Sequence, residues 1–132
     1  IRKLVSELPD KINARVSITE AKPPKSNPEK LYEVLPQEHK APYDMREVLN
    51  CILDKGELDE FQADYAKEMI CGTARICGIQ VGIIANARGM VKNSAGKPPK
   101  FGGIIYKESA EKCAYFIENC NRHSTPIVYI QD

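Results

Sequence analysis

The spacing of hydrophobic residues predicts an amphipathic helix over residues 44–55. The i, i+3, i+4 and i+7 positions of one helical face are occupied by Met45, Val48, Leu49 and Ile52. Asp44 stands at the N-cap position, and Glu47 three residues later completes a predicted capping box. Gly56 is placed to end the helix, because glycine adopts the left-handed conformation common at helix C-termini.

The next segment, residues 57–86, alternates as β-strands do, with a turn expected at residues 65–67. One predicted face carries Met69, Cys71 and Thr73, and the other carries Ile70 and Ala74. The strongest strand is predicted over residues 79–86, where the apolar run IQVGIIAN indicates burial on both faces.

A second helix is predicted over residues 107–123, followed by a strand over residues 127–130. The buried stripe of this helix is expected to consist of Ala110, Cys113, Ala114, Ile117 and Cys120. Acidic Glu108 and Glu111 fall in its first turn, and Arg122 and His123 fall in its last, as the helix dipole favours. The second half therefore has the order β-β-loop-α-β, which is typical of an α/β fold.

The N-terminal part of the sequence has a different character. Residues 1–17 predict a short helix and its exit, and residues 19–43 carry five prolines that disfavour a regular helix. We expect this proline-rich stretch to be a linker docked on a neighbouring surface rather than free coil. The sequence is accordingly divided into residues 1–41, a helix and linker, and residues 42–132, the start of an incomplete domain.

Composition narrows the possible functions of this 132-residue chain. Hydrophobic residues make up 42% and charged residues 28%, which is ordinary for a globular domain. Nineteen basic residues against eighteen acidic ones give a net charge of +1, so a general nucleic-acid binder is not indicated. Five cysteines without a CxxC pair favour small buried hydrophobic side chains in a reducing compartment over disulfides or a metal site. Because the sequence begins with Ile1 and stops after an apolar run, we expect a piece of a longer protein.

Recognisable catalytic motifs are few. GxSxG, HExxH and GxGxxG do not occur, and the two histidines, His39 and His123, are interpreted as a surface residue and a helix cap. Residues 88–100 form a basic stretch without any acid. This stretch is either a solvated connection or a contact for an anionic ligand, such as CoA phosphates, or for a partner subunit.

Gly102 and Gly103 precede the second helix by a few residues. Exposed backbone amides at such a turn can face an anion. A bend that lets two backbone segments approach closely is an equally good interpretation, and the sequence leaves both open.

Four segments resemble the second half of biotin-dependent acyl-CoA carboxyltransferases. PYDMREV at residues 42–48 is similar to the family's PYDxREV, and residues 61–86 are similar to its GFARIxGxPVGIxAN core. GIIYKESAEKCAYF at residues 103–116 resembles GxLxxESAxKxAxF, and TPIVYIQ at residues 125–131 resembles xPLxxLQ. Within the family, GELDEFQADYAKEMICGTARI and the longer segment 88–101 are most similar to glutaconyl-CoA decarboxylase α subunits.

The resemblance implies a partial crotonase-like domain, an α/β superhelix of β-β-α turns. It implies a carboxyl transfer between an acyl-CoA, such as glutaconyl-CoA, and biotin carried by a partner subunit, within a sodium-pumping decarboxylase. The predicted oxyanion donors are the amides of Gly102 and Gly103. Residues expected on the biotin or substrate side are Asn86, Lys97, Lys100 and Ile104. A homo-oligomer is implied, located in the cytoplasm or bound at the inner membrane face through a membrane subunit; no metal or nucleic acid is implied.

Two alternatives stay open beside the decarboxylase. The chain equally suits the β subunit of a propionyl-, methylcrotonyl- or acetyl-CoA carboxylase. It could also be a structural half-domain, inactive by itself, because the family's first half, which binds acyl-CoA, has no counterpart in these residues. Gln80 departs from the family pattern, which has proline at this position.

Overall fold

The computed structural model describes residues 16–38, 41–92 and 98–132. The helices are α1 (Leu31–Val34), α2 (Met45–Asn50) and α3 (Lys107–Arg122). The strands are β1 (Leu58–Glu60), β2 (Met69–Ile76), β3 (Ile79–Asn86), β4 (Met90–Val91), β5 (Lys100–Phe101) and β6 (Ile127–Ile130). In the part of the chain that is described, no helix is long and apolar enough to cross a membrane.

A four-stranded sheet of order β1-β2-β3-β6 organises the fold. Strands β2 and β3 pair antiparallel along their full length, from Met69 opposite Asn86 to Ile76 opposite Ile79. Cys77 and Gly78 join them with positive φ angles of 50° and 78°, as a tight hairpin turn requires. Strand β6 pairs parallel to β3, and α3 forms the crossover between them.

The sheet is buried on both faces, as the sequence predicts for residues 79–86. One face joins Ile70, Ala74, Val81, Ile83 and Ala85 to the first helix region through Met45, Val48, Leu49 and Leu53. The other face joins Met69, Cys71 and Ile84 to Phe116 and Cys120 of α3. The alternation predicted for β2 is confirmed, since Cys71 and Ile70 belong to opposite faces.

The predicted buried stripe of α3 is wrong in phase. The buried residues are Ser109, Lys112, Phe116 and Cys120, whereas Ala110, Ala114 and Ile117 are exposed. The physical reason lies in β3, where Gly82 leaves a gap that Phe116 fills; a Cβ at Gly82 would lie only 3.2 Å from the Phe116 ring. The bulky aromatic side chain and the glycine opposite it therefore set the rotation of the helix.

Helix α2 is shorter than predicted, because it ends at Asn50 and the chain continues through turns. The Asp44 carboxylate caps its N-terminus by accepting a hydrogen bond from the Arg46 amide at 2.9 Å. Beyond the helix, the Asp54 carboxylate accepts hydrogen bonds from the Cys77 and Gly78 amides, each at 2.8 Å. These bonds hold the strained β2–β3 turn, and they leave Cys77 exposed rather than buried as predicted.

The proline-rich segment is docked, as expected, on the edge of the sheet and the turns beside it. The Thr19 amide donates to the Gly78 carbonyl at 2.9 Å, and the Gln80 amide donates to the Ser17 carbonyl at 3.0 Å. One expectation fails, because a 3-10 turn (Pro28–Lys30) followed by α1 forms in spite of the nearby prolines. The predicted N-terminal helix falls largely, and His39 entirely, outside the described residues, and the division at residue 41 stays a prediction.

The basic stretch contains more structure than a solvated loop. Strands β4 and β5 form a small antiparallel hairpin, with Met90 opposite Phe101 and Val91 opposite Lys100. The hairpin brings Gly102 and Gly103 to a fixed position directly before α3.

The corrected phase of α3 predicts which aromatic residue supports the fold. Phe116→Ala should lower the free energy of unfolding by about 3–5 kcal/mol, because it leaves a cavity against Gly82 and Phe61. Tyr115→Ala, its exposed neighbour on the same helix, is the matched control and should cost less than about 1 kcal/mol. Denaturant unfolding of both variants measures this difference. An equal loss in both would contradict the observed helix phase.

Candidate functional site

A cavity of about 230 Å³ lies at the C-terminal ends of β3 and β6. Its walls are formed by Met69, Ile84, Asn86, Gly103, Ile105, Cys113 and Tyr129, and by residues 130–132. Ligands of open α/β sheets bind at the carboxyl ends of parallel strands, which is the place where β3 and β6 end together. The cavity also brings together two predicted site residues, Asn86 and Gly103, that are separated in sequence.

A larger cavity, of about 450 Å³, lies at the opposite end of β3 beside Asp54. The Asp54 carboxylate is already engaged by the amides of the β2–β3 turn and by a longer bond from the Lys22 amide. Its position is thus explained by the fold, and we take the smaller cavity as the candidate site.

Asn86 closes one side of this candidate cavity and is buried. Its Oδ1 accepts a hydrogen bond from the Asp132 amide at 2.9 Å, and its Nδ2 makes longer contacts of 3.4 Å with the Ala87 and Asp132 carbonyls. The sequence predicts that Asn86 fixes the following loop by a side-chain hydrogen bond. The structure adds that its stronger bond fixes the chain leaving β6, so Asn86 ties two strand ends together.

Asp132 extends this connection to the helix region on the other face of the sheet. Its carboxylate accepts a hydrogen bond from the Tyr43 hydroxyl at 2.9 Å and forms an ion pair with Arg88 at 2.9 Å. Burial and then the hydrogen bond to Asp132 raise the pKa of Tyr43. Tyr43 therefore acts as a hydrogen-bond donor here and holds the mouth of the cavity in place.

The two glycines differ in what their amides can do. The Gly102 amide donates to the Gly89 carbonyl at 2.7 Å, and a Cβ on Gly102 would lie 2.1 Å from the Ala87 carbonyl oxygen. Gly102 is therefore a close-packed bend, and its amide is not available to a ligand. Gly103 has φ of 84°, with nothing within 4 Å of an added Cβ. Within the described residues, the amides of Gly103 and Ile105 donate no hydrogen bond, and both residues line the cavity.

Of the other predicted site residues, Ile104 is about half exposed, and its neighbour Ile105 lines the cavity instead. Lys97 lies outside the described residues. Lys100 does not extend into solvent, since its Nζ lies 3.0 Å from Glu68 Oε1 and 2.9 Å from Glu108 Oε2. Its ammonium also lies 4.7 Å from the centroid of the Tyr106 ring, in a cation–π contact.

The expectation of a mobile, unanchored Lys100 is therefore wrong. Burial acts to lower the pKa of Lys100, but hydrogen bonds to Glu108 and Glu68 outweigh it and raise the pKa overall. Glu68 is fully buried, and one of its carboxylate oxygens has no partner within the described residues. Lys100 thus neutralises a buried charge and fastens the β4–β5 hairpin to the start of α3.

Lys112, which the sequence interpretation missed, fastens the other side of the site. Its side chain is fully buried, and its Nζ donates to the Tyr65 and Met69 carbonyls at 2.9 and 2.8 Å, with Ala66 at 3.5 Å. Burial lowers the pKa of this ammonium. A lysine three residues after Ser109 and four before Phe116 keeps helical spacing, but it is passed over when only apolar residues are counted.

The carboxyl transferase domain family matches residues 1–132, the whole of the chain. The chain belongs to this family. It is 33% identical over 132 residues to the uncharacterized carboxylase YngE of Bacillus subtilis, covering 100% of this chain and 24% of that protein. It is 36% identical over 131 residues to the methylcrotonoyl-CoA carboxylase beta chain of Dictyostelium discoideum, covering 99% of this chain and 20% of that protein. It is 32% identical over 136 residues to the glutaconyl-CoA decarboxylase subunit alpha of Acidaminococcus fermentans, covering 100% and 23%.

Solved structures agree with this assignment. Transcarboxylase 12S, a hexamer crystallised with methylmalonyl-CoA, matches with a TM-score of 0.77 and 28% identity, over 99% of this chain and 24% of that one. The beta subunit of P. aeruginosa geranyl-CoA carboxylase matches with a TM-score of 0.65 and 29% identity, over 96% and 21%. The prediction of a partial, crotonase-like α/β domain is confirmed. The chain spans about a quarter or less of the length of these relatives.

The buried charge at Glu68 predicts a stability role for Lys100. Lys100→Met should lower the free energy of unfolding by about 3 kcal/mol, the lower end for breaking a buried pair, since the lysine keeps some contact with water. Lys92→Met, an exposed lysine beside the same hairpin, is the control and should have little effect.

A double variant sharpens this test. Glu68→Gln removes the buried charge, so Lys100→Met should cost much less in the Glu68→Gln background than in the natural protein. Additive losses would show that Glu68 and Lys100 do not act as a pair.

Proposed function

We propose that this chain is the biotin-binding side of an acyl-CoA carboxyltransferase, which moves a carboxyl group between an acyl-CoA and biotin carried by a partner subunit. The observation that carries the proposal is the cavity at the ends of β3 and β6, where Asn86, Gly103 and Ile105 meet. Membership of the carboxyl transferase domain family supports it. Whole relatives are four to five times as long, so the acyl-CoA side belongs to residues beyond this chain.

The residues present fit the chemistry of such a site. Biotin supplies a ureido nitrogen that accepts or releases the carboxyl group. The transfer develops negative charge on a neighbouring oxygen, and fixed N–H donors stabilise such an oxygen without any nucleophilic side chain. The unbonded amides of Gly103 and Ile105 are donors of this kind. Met69, Ile84 and Ile105 supply apolar walls, which exclude water and strengthen those hydrogen bonds.

The roles of the predicted residues follow from their contacts. Gly103 is proposed as an oxyanion donor, with the Ile105 amide in place of the Gly102 amide, which is already engaged. Asn86 and Lys100 are proposed as positioning residues, because Asn86 holds Asp132 and Lys100 holds the hairpin that carries Gly103. Contact of Lys97 or Ile104 with the substrate stays a proposal without a described contact.

The finer assignment concerns the acyl-CoA and the direction of the reaction. The sequence wording of residues 56–76 supports a glutaconyl-CoA decarboxylase α subunit, cytoplasmic, homo-oligomeric and attached to a sodium-exporting membrane subunit. The relatives give comparable support to a carboxylase, since identities to the methylcrotonoyl-CoA carboxylase beta chain and the glutaconyl-CoA decarboxylase subunit alpha are 36% and 32%.

A substrate panel separates these assignments. The full-length protein should release carboxyl groups from glutaconyl-CoA only when free biotin is present, and should leave propionyl-CoA and 3-methylcrotonyl-CoA uncarboxylated when carboxybiotin is supplied. Transfer to methylcrotonyl-, propionyl- or acetyl-CoA instead would assign a carboxylase β subunit. No biotin-dependent transfer with any member of the panel would contradict the carboxyltransferase proposal.

The location of the biotin site is tested by two neighbouring isoleucines. Ile105→Ala should raise the KM for free biotin roughly fivefold, because losing part of an apolar contact costs about 1 kcal/mol. Ile104→Ala, one residue away and not lining the cavity, is the matched control and should leave that KM unchanged. The KM for the acyl-CoA should not respond in either variant. A larger biotin effect from Ile104 than from Ile105 would move the site away from this cavity.

A further inference from the structure

Two cysteine sulfur atoms meet at the wall of the candidate cavity. Cys71 Sγ on β2 and Cys113 Sγ on α3 lie 3.7 Å apart, although the residues are separated by 42 positions in sequence. Cys71 is fully buried, whereas Cys113 is half-buried and lines the cavity. One thiol of the pair is therefore open to a small reagent in the cavity, and its partner is shielded behind it.

We propose that Cys71 and Cys113 form a redox-active dithiol, in which a hydroperoxide oxidises Cys113 and Cys71 then closes a disulfide at the cavity wall. The proposal rests on the approach of the two sulfur atoms and on their unequal exposure. It concerns this chain's own thiols and does not depend on which acyl-CoA the protein uses.

The electrostatic surroundings divide the two roles. The hydrogen bond from Cys71 is the largest influence on Cys113 and, helped by the nearby Lys112 ammonium, lowers the pKa of the Cys113 thiol to about 7 against the opposing effect of burial. The same hydrogen bond, then burial, raises the pKa of Cys71, with the Glu60 carboxylate adding a smaller upward effect and Lys112 a downward one. Cys113 is thus the attacking thiolate, and Cys71 is the thiol that resolves the first product.

The chemistry balances with a hydroperoxide as the sole oxidant. The Cys113 thiolate attacks one peroxide oxygen, the O–O bond breaks, and hydroxide leaves, which gives a sulfenic acid on Cys113. The Cys71 sulfur then attacks the Cys113 sulfur, the S–O bond breaks, and the departing hydroxide takes the Cys71 proton as water. Overall, two thiols and one hydrogen peroxide give one disulfide and two waters.

The second step requires only a small movement. The sulfur atoms must approach from 3.7 Å to about 2.05 Å, and a side-chain rotation at the half-buried Cys113 can supply this. The other described cysteines lack this arrangement. Cys77 is exposed, and Cys120 is buried, with burial raising the pKa of its thiol. Cys77 is a suitable internal control, because exposure alone would favour its oxidation over that of Cys113.

The test uses the full-length protein, reduced and then treated with hydrogen peroxide below one equivalent. After alkylation and digestion without reductant, mass spectrometry should find the Cys71 and Cys113 peptides linked, lighter by two hydrogen atoms than the reduced pair. The rate of linkage should rise about tenfold between roughly pH 6 and roughly pH 8, with its midpoint at the Cys113 pKa of about 7. Oxidation of Cys77 with the pair still reduced would overturn the proposal.

Two variants test the division of roles. Cys71→Ser should abolish the linkage and leave a sulfenic acid on Cys113 that dimedone traps, whereas Cys77→Ser should leave the linkage unchanged. In the unsubstituted protein, Cys113 advancing to sulfinic acid while Cys71 stays alkylatable would also overturn the proposal. These readouts are chemical, so the result stands whether or not the protein transfers carboxyl groups.

Discussion

The buried ammonium of Lys112 is the interaction on which the arrangement of the site depends. Its charge lies in the space between α3 and the turn before β2 and is balanced by backbone carbonyls rather than by a carboxylate ion pair. Removing a charge from water is expensive, so the carbonyls must be held where the ammonium can reach them. Helix and turn therefore fix one another, and the helix cannot rotate about its axis without uncovering this charge.

The rotation of α3 determines what lines the cavity. With Lys112 and Phe116 turned inward, Cys113 falls at the cavity wall and Ala110 and Ala114 face outward. At the other end of the helix, the Ser109 hydroxyl accepts a hydrogen bond from the Tyr106 amide at 2.7 Å, which closes the first turn of α3. The unbonded amide of Gly103 lies three residues before this capped start, and it is held there by contacts on both sides.

Regular periodicity made the framework of the fold predictable. Strands β2, β3 and β6 and the limits of α3 follow from alternation, helical spacing and turn residues, and each was predicted to within a few residues. The phase of α3 was not predictable by the same rule, because Ser109 and Lys112 are polar and yet buried. Their burial depends on carbonyl partners such as Tyr65 and Met69, which lie far away in sequence and can be recognised only in the folded chain.

The same limitation applies to the site. Asn86 and Gly103 could be named from strand ends and glycine turns, and they do meet at one cavity. The basic stretch was misjudged because its partner carboxylates are remote; Glu68 lies 32 residues before Lys100. Residues 44–68 carry eight acids and three bases, and the bases that complement them lie in the following hairpin. The near-neutral total charge thus conceals two segments of opposite charge.

That separation of charge has a structural consequence for the Gly103 turn. The hairpin makes little contact with the apolar core, since Met90 and Phe101 are both exposed, so hydrophobic burial does little to fix its position. An ion pair with a buried carboxylate is directional and loses its strength when the two atoms separate, which makes it suited to positioning a segment without packing it. The donor amide at Gly103 is therefore held by the Glu68–Lys100–Glu108 cluster, and the accuracy of the proposed oxyanion site depends on electrostatics more than on packing.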